Sequence, residues 1–240
     1  SSKTFSEPGR LHATYNFDLL EWAGLTVSEL KEAIANAIEV FNGSGRLCFA
    51  FSNHDVPRSA SRQLDPLGIT SDRQDDLQLL LLQLETSLIG SSCIYQGEEL
   101  GLSDVTNIQF DKMKDPWGLN FYPEFLGRDT CRTPMVWENN KPMGGFTSAN
   151  EAWLPISELH MEKAGLDMAK SEGSIYNKFS SFLKWRRKQP AMISSNKMSK
   201  LSGGLREIIF DRESETQILR CKFDFELVKA TFEEVTHGTG

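Results

Sequence analysis

The stretch RLCFAFSNHDVPRSASR, residues 46–62, decides how the rest of the chain is read. Its apolar part, LCFAF at 47–51, follows Gly43 and Gly45. A run that short and that uniformly apolar predicts a strand buried on both faces, as in a parallel sheet. It ends in the polar cluster Ser52, Asn53, His54 and Asp55. Working backward, Thr26 and Glu29 have the spacing of a capping box. Val27, Leu30, Ala33, Ile34, Ala37, Ile38 and Phe41 then recur at helical spacing. That helix is expected to stop at Gly43 and Gly45. Before it, LHATYNFDLL (11–20) reads as a short strand running into a loop. Working forward, the leucine-rich residues 75–89 are too long for a strand and predict a buried helix closed by Gly90. SCIYQ (92–96) predicts another buried strand.

The resulting order, strand–helix–strand–helix–strand, is the pattern of parallel α/β architecture. In such sheets the site gathers beyond the carboxyl ends of the strands. Asn53-His54-Asp55 and Glu98-Glu99 both fall there. Residues 103–170 show no sustained period and are rich in Gly, Pro, Asn and Asp. A loop of that length inside a domain is functional or disordered, and Trp117, Trp137 and Trp153 argue against disorder. A helix resumes near Ser174, with Ile175, Phe179, Phe182 and Leu183 on one face, and is expected to end at Pro190. Residues 199–228 read as short strands, REIIF and QILRCKF, around the turn DRESET.

Bulk composition narrows the function classes. Hydrophobic residues make up 39% and charged residues 25% of 240, as in a soluble globular protein. The net charge is −7, and no basic patch suits a nucleic-acid partner. The densest basic stretch, Lys184, Arg186, Arg187 and Lys188, sits where a helix should end and complements its dipole. Cys48, Cys93, Cys131 and Cys221 have no metal-site spacing, and unpaired thiols suit a reducing, cytoplasmic compartment. No apolar run is long enough for a membrane span, and SSKTFSEPGR at the start is not a signal peptide.

Five segments in order then carry a resemblance. FSNHDVPR (51–58) resembles the seventh-strand segment of the α-amylase family, glycoside hydrolase family 13. IYQGEELGL (94–102) resembles the eighth strand, and YNFDLL (15–20) the sixth-strand region. GRDTCRTPMVW (127–137), GGFT (144–147) and AWLPI (152–156) resemble the loop after strand eight in the α-glucosidase and oligo-1,6-glucosidase branch. FSSFLKWRRKQPAM (179–192) is similar to the eighth helix. The resemblance implies a TIM (β/α)8 barrel, but only its C-terminal part, about strands 6–8 with their helices. A barrel of about 250 residues needs roughly 30 per strand–helix unit, and 46 residues precede LCFAF. No GFRxDA-like stretch, the family's fourth-strand nucleophile motif, is present, and the fifth-strand general-acid Glu would fall before Ser1. The expected division is therefore 1–192 for this barrel portion, including the long loop, and 193–240 for the start of an all-β C-terminal domain.

The same resemblance assigns roles. Asp55 corresponds to the third carboxylate, which holds sugar hydroxyls and stabilises the transition state. His54 donates to the same sugar, and Arg128 resembles an arginine that reaches it. Arg58, Arg62 and Arg132 are expected to brace the loop through carboxylates, with Arg58 and Arg132 also possible substrate contacts. Glu98 and Glu99 are read as structural, Trp117, Trp137 and Trp153 as loop-core anchors with stacking on sugar faces as the alternative, and His12 and His160 as surface or loop residues. No cofactor and no metal ion is implied for these segments. The implied function is part of a retaining hydrolase of α-glucosidic bonds in small oligosaccharides. Transglycosylation or isomerisation on the same scaffold stays open. The chain alone, lacking nucleophile and acid, is expected to be inactive. The alternative is a non-catalytic fragment or interaction module. Open sheet edges predict that it oligomerises or pairs with the rest of a barrel.

Overall fold

A computed structural model describes residues 9–42, 47–194 and 197–235. Three short parallel strands, β1 (Thr14–Tyr15), β2 (Leu47–Phe49) and β3 (Ser91–Ser92), form one sheet in that order. The register pairs Thr14 with Leu47 and Cys48 with Ser91. Helix α1 (Val27–Asn42) joins β1 to β2, and α2 (Gln74–Ser87) leads from β2 into β3. The long loop follows, then α3 (Ile175–Arg186). The chain finishes in an antiparallel meander of β4 (Lys197–Ser202), β5 (Glu207–Glu213), β6 (Ile218–Asp224) and β7 (Lys229–Glu234).

Helix α1 starts where its capping box says it should. Glu29 Oε2 accepts from Thr26 N at 2.7 Å, and Glu29 N donates to Thr26 Oγ1 at 3.3 Å. Val27, Leu30, Ala33, Ile34 and Ala37 form its buried stripe. Gly43, Gly45 and the side chain of Phe41 lie outside the described residues. In β2, Leu47 and Phe49 pack inward, and Ala50 and Phe51 just beyond it are also buried. Cys48 between them is half-buried, so burial is not equal on the two faces as the apolar run suggested. The second departure is SCIYQ. The strand there is Ser91–Ser92, both residues are exposed, and Cys93 is exposed as well. Among the described residues this strand lies at the sheet edge and pairs with β2 alone, extended one step by Cys93 N donating to Phe49 O at 2.8 Å.

One apolar core runs from α1, β2 and α2 into β5 and β6, through Phe49, Leu80, Leu84, Phe210 and Phe223. Two arginines, Arg212 buried and Arg186 half-buried, help fix the meander and α3 against α2. The carboxyl end of α2 has no basic residue of its own, and its last carbonyls carry partial negative charge. Arg212 Nη1 on β5 donates to Ser87 O and Leu88 O, each at 2.7 Å. Arg186 Nε donates to Thr86 O at 2.6 Å. Arg186 thus serves the end of a neighbouring helix, where the basic cluster had been expected to serve its own. No described helix is long and apolar enough to cross a membrane.

Candidate active site at the carboxyl ends of the parallel strands

Beyond β2 the chain turns sharply, because Asn53 Oδ1 accepts from Asp55 N at 2.8 Å. This turn presents His54 and Asp55 outward, with side chains 68% and 50% exposed. Behind them the polar residues face in. Glu98, almost fully buried, accepts from Ser52 Oγ at 2.7 Å, has Ser59 Oγ at 2.8 Å, and accepts from Tyr95 N at 2.8 Å. It ties the ends of β2 and β3 together. Glu85 of α2 is buried beside it and accepts from Phe51 N at 3.1 Å, while its Oε1 has no partner. Burial, with the Glu98 carboxylate adding to it, pushes the Glu85 carboxyl well above the usual range.

Asp55 is the meeting point of the loop arginines. Arg128 Nη1 donates to its Oδ1 at 3.1 Å and Arg132 Nη2 to the same oxygen at 3.0 Å. His54 Nε2 stands 3.3 Å from its Oδ2. Arg132 Nε also donates to His54 O at 2.7 Å, so one guanidinium clamps two successive residues of the turn. The structure therefore brings together His54, Asp55, Arg128 and Arg132. It places Arg58 elsewhere. Arg58 is buried under the Tyr95 ring, 5.1 Å from its centroid, and donates to Gln96 O and Cys131 O. Arg62 is likewise buried, donating to Leu19, Glu21 and Pro57 carbonyls. The expected carboxylate braces are thus main-chain carbonyl braces at both positions, since each side chain points into loop backbone. Of these three arginines only Arg132 braces through a carboxylate.

Two aspartates that the sequence reading passed over hold Arg128 in place. Asp115, fully buried, accepts from Arg128 Nη2 at 2.8 Å, from Nε at 3.1 Å and from the Arg128 backbone N at 2.6 Å. Arg128 holds its carboxyl down to about 2, and Asp115 in return raises the guanidinium further above its ordinary value. Asp115 also caps the short helix Pro116–Phe121. Asp129 Oδ2 accepts from Lys114 N and Asp115 N, closing the same turn. Gly127, at φ 68°, lets the loop approach: a Cβ there would meet Asp115 Oδ2 and Gly118 N, each at 2.6 Å. The one legible signal was Asp115-Pro116, an N-cap aspartate before a proline at the first helical position.

The tryptophans are not core anchors. Trp117, Trp137 and Trp153 are 54%, 46% and 48% exposed, while Val136, Leu154 and Ala164 fill the loop interior. Trp117 lies beneath Arg128, 5.3 Å from the guanidinium carbon. His12 is exposed, but His160 is not. His160 is buried with Nε2 2.9 Å from Ser103 O, so Nε2 carries the proton, and its Nδ1 has no partner. Burial lowers its pKa to about 4. Among the described residues no group of three His, Cys, Asp or Glu side chains is placed to hold a metal ion.

Consecutive parallel strands joined by helices, with an open carboxylate held by loop arginines beyond their carboxyl ends, place the cluster where α/β enzymes carry their active sites. Residues 9–195 match the α-amylase catalytic domain, and the chain belongs to that family of glycoside hydrolases. A probable α-glucosidase from Rhizobium meliloti (strain 1021) is 40% identical over 183 residues, 76% of this chain and 32% of that protein. The oligo-1,6-glucosidase of Parageobacillus thermoglucosidasius is 28% identical over 182 residues, 68% of this chain and 31% of that one. The crystal structure of the α-glucosyl transfer enzyme XgtA superposes with a TM-score of 0.81 at 32% identity, covering 93% of this chain and 40% of that chain. The chain spans about a third of the length of the curated relatives it matches.

Proposed function

We propose that this chain is the substrate-gripping part of a retaining enzyme that acts on α-glucosidic bonds of small oligosaccharides. The placement of Asp55 carries the reading: half open, at the carboxyl end of the middle parallel strand, with Arg128, Arg132 and His54 around it. A carboxylate accepts from sugar hydroxyls and an imidazole N–H donates to one, so the pair grips one ring. As the ring flattens toward an oxocarbenium-like transition state, such hydroxyl contacts strengthen by several kcal/mol. Arg128 reaches the same ring, and Asp115 holds it there as a positioning residue.

The bond-breaking nucleophile and general acid are assigned to segments outside this chain, which has no GFRxDA-like stretch. The names of the α-glucosidase relatives support the substrate class. The likeness to a glucosyl transfer enzyme supports a second outcome on the same site, transfer of glucose to another sugar in place of water.

The test is glucose release from maltose, isomaltose, sucrose and an aryl α-glucoside. The chain alone should release none. Co-expression with barrel segments that precede it in the coding sequence should restore release. Asp55→Asn in that complex should lower kcat/KM by about 10²- to 10⁴-fold, the equivalent of several kcal/mol. No turnover of any of the four by the completed barrel would sink the proposal. Turnover by the chain alone would sink the assignment of the missing pair.

A further inference from the structure

Cys48 and Cys93 are distant in the chain, and the parallel sheet brings them together. Cys48 of β2 pairs with Ser91 of β3, and just past β3 Cys93 N donates to Phe49 O at 2.8 Å. Side chains alternate along a strand, so residues 91 and 93 share the face of residue 48. It is the face opposite the one on which Leu47 and Phe49 are buried. Tyr15 of β1, paired with Cys48, stands on it too. The two thiols are within hydrogen-bond reach of one another. Cys93 is exposed and Cys48 half-buried, so the pair is open to solvent. The other two cysteines, Cys131 in the long loop and Cys221 in β6, are buried.

We infer that Cys48 and Cys93 form a two-thiolate site for a soft monovalent cation of the Cu(I) class. The register sets the distance. One strand spacing of about 4.8 Å and two residues along the strand, about 6.6 Å, put the two Cα atoms about 8 Å apart. A disulfide needs about 4.4–6.8 Å, so the sulfurs do not join directly unless the edge strand slides. A bridging cation lifts that limit, because two metal–sulfur bonds of about 2.3 Å span up to about 4.6 Å between sulfurs. Thiols that already meet need only small side-chain rotations to reach that separation. The ligand number then selects the cation. Structural zinc and iron–sulfur centres take four ligands, and among the described residues no third His, Cys, Asp or Glu side chain is placed to join the pair. Hard cations such as Mg2+ and Ca2+ require several oxygens. Soft thiolates favour Cu(I), for which two suffice. Each thiol releases its proton to water as its metal–sulfur bond forms, and the metal keeps its oxidation state. The pair shares no residue with the Asp55 cluster, so cation binding is independent of the proposed sugar grip.

The experiment is anaerobic competition of the whole reduced chain for Cu(I) against bicinchoninate, whose Cu(I) complex is coloured, with thermal melts to check folding. The wild type should take up one Cu(I) per chain. Cys48→Ser and Cys93→Ser should each weaken binding by more than about 100-fold, since losing even an outer partner of a metal ligand costs about 10- to 100-fold. Cys131→Ser and Cys221→Ser should leave it unchanged. X-ray absorption of the loaded wild type should show two sulfur neighbours around copper. No uptake by the wild type overturns the inference. So does uptake that survives Cys48→Ser or Cys93→Ser, or that is lost in a folded Cys131→Ser or Cys221→Ser chain, because the metal then sits elsewhere. A Cys48–Cys93 disulfide that forms in air from the reduced chain, read by peptide mass mapping, would show the strands closer than the register sets them and would refute the distance argument.

Discussion

Asp115→Asn tests the idea that a buried carboxylate positions the substrate arginine. The substitution keeps the shape of the side chain but turns one acceptor oxygen into an N–H donor facing the donors of Arg128. Three bonds to Arg128, at 2.6, 2.8 and 3.1 Å, depend on the two carboxylate oxygens, of which Asn keeps one. Breaking a fully buried ion pair costs about 3–5 kcal/mol. Arg128 is 29% exposed, so water recovers part of its hydrogen bonding and a loss of about 2–3 kcal/mol is expected at pH 7. The pKa shift that the same contacts produce gives a figure of similar size. Asp115 falls from an ordinary 3.8 to about 2 on folding, which corresponds to roughly 2 kcal/mol. A carboxyl lowered on folding stabilises fully above its ordinary pKa, and that contribution drains away as pH falls from about 4 to about 2. Urea denaturation at pH 7 and at pH 2.5 reads both. The variant should be weaker than the parent at pH 7, and the gap should shrink by more than half at pH 2.5. A gap below 0.5 kcal/mol at pH 7, or one of equal size at both pH values, refutes the reasoning.

Burial holds His160 at a pKa of about 4. A histidine lowered on folding stabilises fully above about pH 6.5, and that stability, roughly 3 kcal/mol, is lost as pH falls toward 4. His160→Gln keeps a donor for Ser103 O and should flatten the denaturation midpoint over that window; an unchanged slope contradicts the assignment. Glu85 has the opposite sign, since a carboxyl raised on folding costs stability as pH rises above its ordinary 4.5. Glu85→Gln should therefore unfold at higher temperature than the parent at pH 7 and at the same temperature near pH 4, and a lower melting point at pH 7 would count against it. Each outer strand of the parallel sheet pairs on one side among the described residues, and Leu11 and Phe17 near β1 are 59% and 69% exposed. Open edges and apolar surface predict self-association, and a single monomer peak in light scattering at 10–100 times the concentration of the first run would disprove it.

The elements that rest on a period were legible. Thr26, Glu29 and the stripe from Val27 to Ala37 specify α1 by local rules alone. The leucines of 75–89 specify α2, because burial all round needs no tertiary information beyond a large core. The strands were legible in order but not in extent. An apolar run reports that a segment is buried somewhere, not which face or which edge. Cys48 and Cys93 look as apolar in sequence as Phe49, yet their exposure depends on which strands lie beside them.

The site divides along the same line. His54 and Asp55 could be placed because a polar cluster closes an apolar run, and strand ends are where such clusters act. Arg128 and Arg132 came only through the family resemblance and not from any local pattern, because they lie 73 and 77 residues from Asp55. In the loop between them, apolar periodicity is replaced by pins that have no period: Asp115 on Arg128, Asp129 on two backbone amides, Arg58 and Arg62 on carbonyls. Each pin satisfies a polar group that an irregular buried backbone would leave unpaired. With the loop interior held this way and filled by Val136, Leu154 and Ala164, the large aromatics are not needed there. That frees Trp117 to lie under Arg128 and Trp153 to face a cleft beside His54. Reading Trp117, Trp137 and Trp153 as core anchors failed for this reason: it assumed that a loop without a period must be held by its largest apolar side chains, when charged pins hold it instead.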